Sequence, residues 1–191
     1  MARLALALTI AAGLLAGAGS ALVTMRQGMG QVAPGWLGSR VTGSAAADPW
    51  TRASVALTGL LALDKRQAIY FVRKTDAAGS PLDARCRYRL SGGPMPGRWW
   101  SVTAYAEDSF LPQNRDGALS IDATRVRKGA GGAWQALVAP TPQPGMDWIS
   151  TRNAGHFDLT LRIYNPDARA VDDFATIPFP RVDRIDCGAG A

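Results

Sequence analysis

Few side chains in this sequence belong to the types that perform acid-base, nucleophilic or metal chemistry. The 191-residue chain has one histidine, His156, and two cysteines, Cys86 and Cys187. Any imidazole general base would therefore have to be His156, and no G-x-S-x-G nucleophile motif accompanies it. One histidine and two cysteines cannot supply the four ligands of a closed zinc site. These residue types predict no metal centre and show no catalytic set.

Carboxylates and arginines leave one enzymatic route open. Two carboxylates can hydrolyse a glycosidic bond, and only the fold determines their separation. Arg98 could assist them, as could a segment in which Arg85, Arg87 and Arg89 alternate onto one strand face. This gives the hypothesis of a hydrolase-type enzyme that uses carboxylates and arginines in a β-sandwich cleft. Solvated arginines on a surface strand are the simpler interpretation of the same spacing.

The adjacent tryptophans Trp99 and Trp100 favour binding over catalysis. Side chains of neighbouring strand residues point to opposite faces, so one indole is expected in the core and the other on the second face. An exposed tryptophan near an arginine or a tyrosine is suited to stacking on a sugar or a partner protein. The alternative is that a second layer of the fold covers this tryptophan. The candidate binding residues are Arg87, Arg98, Trp99, Trp100 and Tyr105.

The two cysteines form either one disulfide or a pair of buried free thiols. Neither lies in a C-x-x-C motif, which argues against redox chemistry. In an oxidising compartment Cys86 and Cys187 are the one possible intramolecular pair. Their bridge would close a loop of about 100 residues and stabilise the fold by on the order of 4 to 5 kcal/mol before strain.

The amino terminus carries an export signal or a membrane anchor. Residues 4–25 contain no charged side chain and lie between Arg3 and Arg26. As a helix they would span roughly 33 Å, enough to cross the hydrocarbon layer of a membrane. The alternative is a cleavable signal peptide that ends at an A-x-A site, residues 16–18. Both alternatives place the rest of the chain on the periplasmic or extracytoplasmic side, either anchored or soluble after cleavage.

Composition is consistent with one globular domain. The chain is 47% hydrophobic and has 21 basic against 15 acidic residues, a net charge of +6. The basic residues are scattered, and the sequence contains no phosphate-binding loop, dinucleotide fingerprint or basic-aromatic nucleic-acid motif. We therefore expect no cofactor and no nucleic-acid partner.

The domain organisation follows from breaks in the hydrophobic pattern. We predict a signal anchor or signal peptide over residues 1–26, a linker over 27–47 and a β-rich domain over 48–191. Asp48 and Pro49 have the types favoured at a helix start, which predicts one amphipathic helix that reaches to about Ala62 and packs on a sheet.

Strand signals occupy the rest of the domain. Runs 68–73 and 86–90 are separated by a turn cluster and are predicted to form a hairpin. Short alternating runs separated by Gly, Pro or Asn predict an antiparallel β-sandwich or jelly-roll-like fold. The further predicted strands are residues 99–106, 118–122, 133–138, 147–150, 157–164 and an edge strand at 182–187.

Several of these segments resemble one family, the domain of unknown function 1214. The resemblance covers roughly residues 64–187 and is carried by Arg98 to Tyr105, by Asp108-Ser109-Phe110-Leu111, by Asp147 to Thr151 and by Phe157 to Pro166. It implies an antiparallel β fold, an envelope location and no established catalytic residues. It also implies a possible partner, a protein of the domain of unknown function 1254 family. Glu107-Asp108-Ser109 stands where that family usually has a glycine-containing turn.

Two functional hypotheses follow from these features. The favoured one is a noncatalytic envelope module, attached to the membrane through residues 4–25, that binds a partner or a ligand. The alternative is the hydrolase-type enzyme. Two carboxylates within about 10 Å of each other in a concave, aromatic-lined pocket would favour the enzyme.

Overall fold

The computed structural model describes residues 2–27, 30–39, 44, 46–57 and 63–188. An apolar helix, α1, spans Ala2–Gln27, and its segment Ala2–Val23 is long and apolar enough to cross a membrane. Length and composition alone support this, and a signal sequence at an N-terminus has the same properties.

The domain after α1 is built mainly of β-strands. Two α-helices are described in it, α2 over Pro49–Leu57 and α3 over Ala168–Asp172. The ten strands are β1 Gly30–Ala33, β2 Trp36–Gly38, β3 Ala68–Arg73, β4 Cys86–Gly92, β5 Gly97–Ala106, β6 Ser120–Asp122, β7 Trp134–Ala139, β8 Asp147–Ser150, β9 Phe157–Pro166 and β10 Arg181–Cys187.

The strands form two sheets. The first has six antiparallel strands in the order β1-β2-β3-β9-β5-β6, and the second has four in the order β10-β4-β7-β8. The pair β7–β8 is parallel, which the sequence did not predict. The fold is mainly β, with two largely antiparallel sheets, and the predicted fold class is confirmed.

The hydrophobic core lies between the sheets. The inward side chains of β9, from Phe157 to Ile163, are all buried. Trp100 of β5 stacks on Trp134 of β7, with ring centroids 4.6 Å apart, and Tyr88 of β4 meets Phe157 edge-on at 6.0 Å. These aromatic contacts join the two sheets, because each ring pair has one member on each sheet.

The predicted hairpin of residues 68–73 and 86–90 is wrong, although both strands exist. β3 pairs with β2 and β9 in the first sheet, whereas β4 pairs with β10 and β7 in the second. The turn between them forms as predicted, since the Asp76 carboxylate accepts hydrogen bonds from the N–H groups of Ala78 and Ser80. Beyond the isolated Thr75–Pro81 bridge the chain crosses from one sheet to the other. Both strands bury apolar side chains, and each finds its partners far along the sequence.

Part of the predicted linker belongs to the domain. β1 and β2 form a hairpin that extends the edge of the first sheet through the pairing of β2 with β3. Trp36 is 1% exposed, stacks on Phe179 at 5.6 Å and donates its indole N–H to the Pro180 carbonyl at 2.9 Å. A glycine-rich composition is typical of linkers, but a single buried tryptophan is enough to attach this segment to the core.

The helix predicted from Pro49 begins where expected. The Asp48 carboxylate accepts hydrogen bonds from the N–H groups of Trp50 and Thr51, and the bond from the Thr51 hydroxyl contributes most to lowering its pKa. The helix is described as far as Leu57, and the rest of its predicted span lies outside the described residues.

Candidate functional site

The outward side chains of the first sheet form the most densely organised polar and aromatic surface of the described domain. Strand alternation turns every second residue of β5 and β9 away from the core. Antiparallel register then places Trp99 opposite Tyr164 and Tyr105 opposite Asp158. We call the surface of Trp99, Tyr105, Asp158, Arg162 and Tyr164 the outer face.

Arg162 holds the centre of the outer face. Its Nη2 donates to the Tyr105 hydroxyl at 2.7 Å and its Nη1 to the Thr103 hydroxyl at 3.4 Å, while Cζ lies 5.3 Å from the centroid of the Tyr105 ring. No carboxylate of the described residues forms an ion pair with this guanidinium. The Arg162 guanidinium therefore lies beside an aromatic ring without an acidic partner among the described residues, an arrangement that suits an anionic or aromatic partner.

The tryptophan of the outer face is equally ordered. The Trp99 ring lies 5.3 Å from the Tyr164 ring at an interplanar angle of 58°, and its indole N–H donates to the Thr124 hydroxyl at 3.0 Å. Both rings are half-buried. Neither ring is free to rotate widely, so a molecule that stacked on them would meet a surface already in place.

Asp158 is the acidic group of the outer face. Burial raises the pKa of its carboxyl, while a hydrogen bond from the Thr160 hydroxyl at 3.1 Å and the charges of Lys74 and Arg162 act in the opposite direction. A half-buried carboxyl that has a raised pKa and forms no ion pair within the described part of the chain is costly for folding, and such groups cluster at functional sites.

The structure separates the five predicted binding residues. Trp99 and Tyr105 lie on the outer face, but Trp100 is 4% exposed and belongs to the core, as alternation requires for one of the two tryptophans. Arg98 is exposed at the start of β5. Arg87 lies on the second sheet, where it bonds to Asp186 at 3.1 Å and Gln143 at 2.8 Å.

The arginine face of β4 does not form a shared anion site. Arg85 lies in the turn before the strand and binds Asp83 at 2.7 Å, and that contact lowers the pKa of Asp83 to about 2. Arg87 is paired as described, and Arg89 is exposed. Two of the three charges are therefore occupied by neighbouring acids or amides.

The predicted disulfide between Cys86 and Cys187 forms. The two residues are direct register partners on β4 and β10, so the bridge crosses between adjacent strands at the sheet edge. The sequence separation of 101 residues matches the long loop expected from their positions.

Two cavities of the described residues do not bring together the features expected of the hydrolase. The cavity near β7 and β8, of about 680 Å³, contains Asp147 as its one carboxylate, and Arg127 binds that group at 3.2 Å. The second cavity, of about 500 Å³, likewise contains one carboxylate, Asp76. His156 is largely exposed, and its Nδ1 lies 4.0 Å from Asp83, beyond hydrogen-bond distance. No cluster of three or more potential metal ligands occurs among the described residues.

Sequence reasoning identified part of the outer face and missed its centre. Alternation along β9 turns Asp158, Arg162 and Tyr164 to one face, opposite the core. It could not show that Tyr105 and Trp99 lie beside them, because the register of β5 against β9 is a tertiary property. Residue types alone therefore gave no reason to single out Arg162.

Fold and site together define a class, a two-sheet β domain with a preformed aromatic and cationic surface, preceded by an apolar helix. The chain belongs to the family described as "Protein of unknown function (DUF1214)", whose family model matches residues 67–168. Among curated proteins, none matches the chain.

Two solved structures are similar in fold. The VPA0106 protein of Vibrio parahaemolyticus is 18% identical and aligns with a TM-score of 0.64 over 91% of this chain and 44% of its own. An uncharacterized protein from Burkholderia cenocepacia is also 18% identical, with a TM-score of 0.47 over 90% of this chain and 40% of its own. This chain thus spans less than half the length of either protein. At this identity the first likeness shows the fold alone.

Proposed function

We propose that this protein is a noncatalytic binding module, attached to a membrane through α1, that presents the outer face to a separate protein chain in the cell envelope. The observation that carries the proposal is the ordered group of Trp99, Tyr105, Arg162 and Tyr164. Tryptophan, tyrosine and arginine dominate the residues that supply most of the energy of protein interfaces.

The contacts within the outer face support binding with little loss of entropy. Arg162 is held by Tyr105 and Thr103, and Trp99 is held by Tyr164 and Thr124. Long side chains that must be ordered on binding each cost about 0.5 to 1.5 kcal/mol. Here the fold has already ordered them, so more of the contact energy is available as affinity.

The partner we propose is a protein of the domain of unknown function 1254 family. The fold of this chain corresponds to 44% of the length of VPA0106, so in that protein it is accompanied by further chain. A separately encoded partner would supply to this chain the additional domain that a longer protein can carry in the same polypeptide. The charge of Arg162 predicts an acidic or aromatic group on the partner.

Two features support an envelope location. The segment Ala2–Val23 can cross a membrane, and a disulfide is stable in an oxidising compartment. Each of the two cavities described above is lined by one carboxylate, whereas glycoside hydrolysis uses two, so neither cavity favours the hydrolase alternative.

The proposal is tested by binding between full-length purified proteins. The full chain in detergent is titrated with a family 1254 protein encoded in the same genome, and affinity is measured by biolayer interferometry. We expect binding that weakens at least tenfold in Trp99→Ala and in Tyr105→Ala. The matched control is Arg89→Ala, an exposed residue of the second sheet that should leave affinity unchanged.

Two outcomes would contradict the proposal. One is a complex whose affinity is the same in wild type, W99A and Y105A, which would place the interface elsewhere. The other is no binding to any family 1254 protein of that genome. Circular dichroism of each variant separates a lost contact from a lost fold.

A further inference from the structure

Arg73 indicates a second site. It is the last residue of β3 and lies away from the outer face. Arg73 ends β3 and points to the core side of the sheet, where it is 5% exposed. It lines the cleft of about 500 Å³ formed by the β1–β2 turn, the Thr75–Gly79 turn and the segment before β10. We call this the Arg73 cleft.

The protein satisfies the guanidinium of Arg73 incompletely. Nε donates to the Thr75 carbonyl at 2.7 Å and Nη1 to the Pro34 carbonyl at 3.0 Å. A guanidinium has five N–H groups, so three remain. Nη2 makes no hydrogen bond to the described protein and is not among its fully enclosed polar atoms, so it opens into the cleft.

No carboxylate of the described residues forms an ion pair with Arg73. The two acids whose charges act on it are already paired, because Asp76 binds Arg184 at 2.7 Å and Asp183 binds Arg181 at 2.7 Å. Three arginines and two aspartates leave one net positive charge at the cleft. Burial accordingly lowers the pKa of Arg73, with Asp76 and Asp183 acting in the opposite direction. Buried charges in proteins are normally paired, so an unpaired one points to a missing anion.

The backbone is shaped to admit the guanidinium. Gly35 has a φ of +77°, and a Cβ on it would lie 2.8 Å from Cζ and Nη2 of Arg73. Only glycine allows the β1–β2 turn to lie this close. On the inner side Cζ is 5.8 Å from the centroid of the Trp36 ring. The charge is thereby fixed in position and not left to move into solvent.

We propose that the Arg73 cleft binds a small organic monocarboxylate with an apolar body. The free Nη edge of an arginine matches a carboxylate, and one net positive charge matches a monoanion better than a phosphate dianion. Half of the other lining residues have apolar side chains, which suits the apolar body of such a ligand. They include Ala33, Trp36, Ala77, Phe179 and Pro180.

The test measures the melting temperature of the full chain in detergent against increasing benzoate, with neutral benzamide and inorganic phosphate as comparisons. A ligand that binds the folded state alone raises the melting temperature with concentration. We expect benzoate to stabilise the wild type and the apparent affinity to fall at least tenfold in Arg73→Lys, which keeps the charge and loses the planar edge.

A second variant keeps the proposal testable if R73K fails to fold. Ala77→Phe obstructs the cleft from an exposed rim position and leaves Arg73 intact, and Ala78→Phe is its matched control at the neighbouring exposed residue outside the lining. We expect benzoate to stabilise A78F like the wild type and A77F at least tenfold more weakly.

Several outcomes would overturn the proposal. Equal stabilisation by benzamide would show that the charge of the ligand plays no part. Stabilisation by phosphate but not by benzoate would show that the cleft binds a different class of ligand from the one proposed. Unchanged benzoate affinity in A77F, or no stabilisation by benzoate or hexanoate at any concentration, would also refute it. The cleft does not contain the outer face, so failure here leaves the protein-binding proposal untouched.

Discussion

Asp158 and Asp122 show how two acids on one surface can have opposite effects on stability. Burial raises the pKa of Asp158, whose hydrogen-bond donor is the neutral hydroxyl of Thr160. Asp122 is also buried, and burial opposes its ionisation most strongly, but hydrogen bonds from the Arg125 side chain and from the Arg125 and Thr124 N–H groups lower its pKa overall. One carboxylate therefore weakens the fold and the other strengthens it.

We predict that Asp158→Asn stabilises the protein at neutral pH by about 1 kcal/mol, a size typical of single substitutions. Because the folded pKa is raised, the wild type binds a proton more tightly when folded and loses stability as pH rises from about 3.9 through the folded value. Below about pH 3.9 the advantage of D158N should vanish. Urea unfolding of wild type and D158N at pH 3.5 and pH 7.5 measures the difference in their free energies of unfolding at each pH.

Asp122→Asn is the matched comparison for that prediction. The pKa of Asp122 is lower in the folded state than in the unfolded state. Its ionised form therefore stabilises the fold above the unfolded pKa, and this stability is lost as pH falls through the folded pKa, so D122N should be less stable than wild type at pH 7.5. A D158N variant that is destabilised at pH 7.5 by as much as D122N would contradict the interpretation of Asp158.

At the scale of elements, β10 depends on contacts that are distant in sequence. It pairs with β4 alone and forms the edge of the second sheet, as predicted for an edge strand. The bridge from Cys86 to Cys187 fixes its far end. Since edge strands have a ladder on one side only, this covalent link compensates for the missing neighbour.

We predict that replacing both cysteines, in Cys86→Ser/Cys187→Ser, lowers the free energy of unfolding by about 2 to 4 kcal/mol, because the unfolded chain gains the entropy that a long closed loop removes. Urea unfolding of wild type and double variant measures the loss. The double variant should not respond to a reducing agent, whereas the wild type should lose a similar amount on reduction. Equal stability of wild type with and without reductant would contradict the prediction.

Most strands were predictable as elements, and their pairing was not. Residues 68–73 and 147–150 form strands with the predicted bounds, because alternation and turn residues are local signals. The hairpin between residues 68–73 and 86–90 was wrong because strand pairing depends on where each apolar face is buried. The β1–β2 hairpin was missed because its composition is that of a linker.

At the scale of the whole molecule, the apolar helix at the N-terminus fits a membrane anchor or a signal sequence. The helix α1 is exposed along most of its described length, as expected of a segment whose natural surroundings are lipid or a signal-processing enzyme. The anchor and the signal peptide differ in one observable, the first residue of the mature chain.

We predict that the mature protein retains α1 and stays with the membrane after a carbonate wash at high pH, because Ala2–Val23 is long and apolar enough to span the hydrocarbon layer. Mass spectrometry of the intact protein identifies its first residue. A mature chain that starts just after Ala18, together with a soluble protein, would establish cleavage. A cysteine-accessibility scan of the domain then tests whether it faces the outside of the membrane.

The sequence by itself determined the apolar segment, the strand positions, the β class and the resemblance to a family, because these rest on local periodicity and composition. It also limited the disulfide to one pair. The tertiary structure decided everything that depends on register and on sheet assignment. It placed Arg162 beside Tyr105, left Trp99 and not Trp100 on the surface, separated Arg87 from both, and buried Arg73 without a carboxylate. Each of these outcomes depends on the relative positions of residues far apart in the chain, and only the packing of the two sheets fixes those positions.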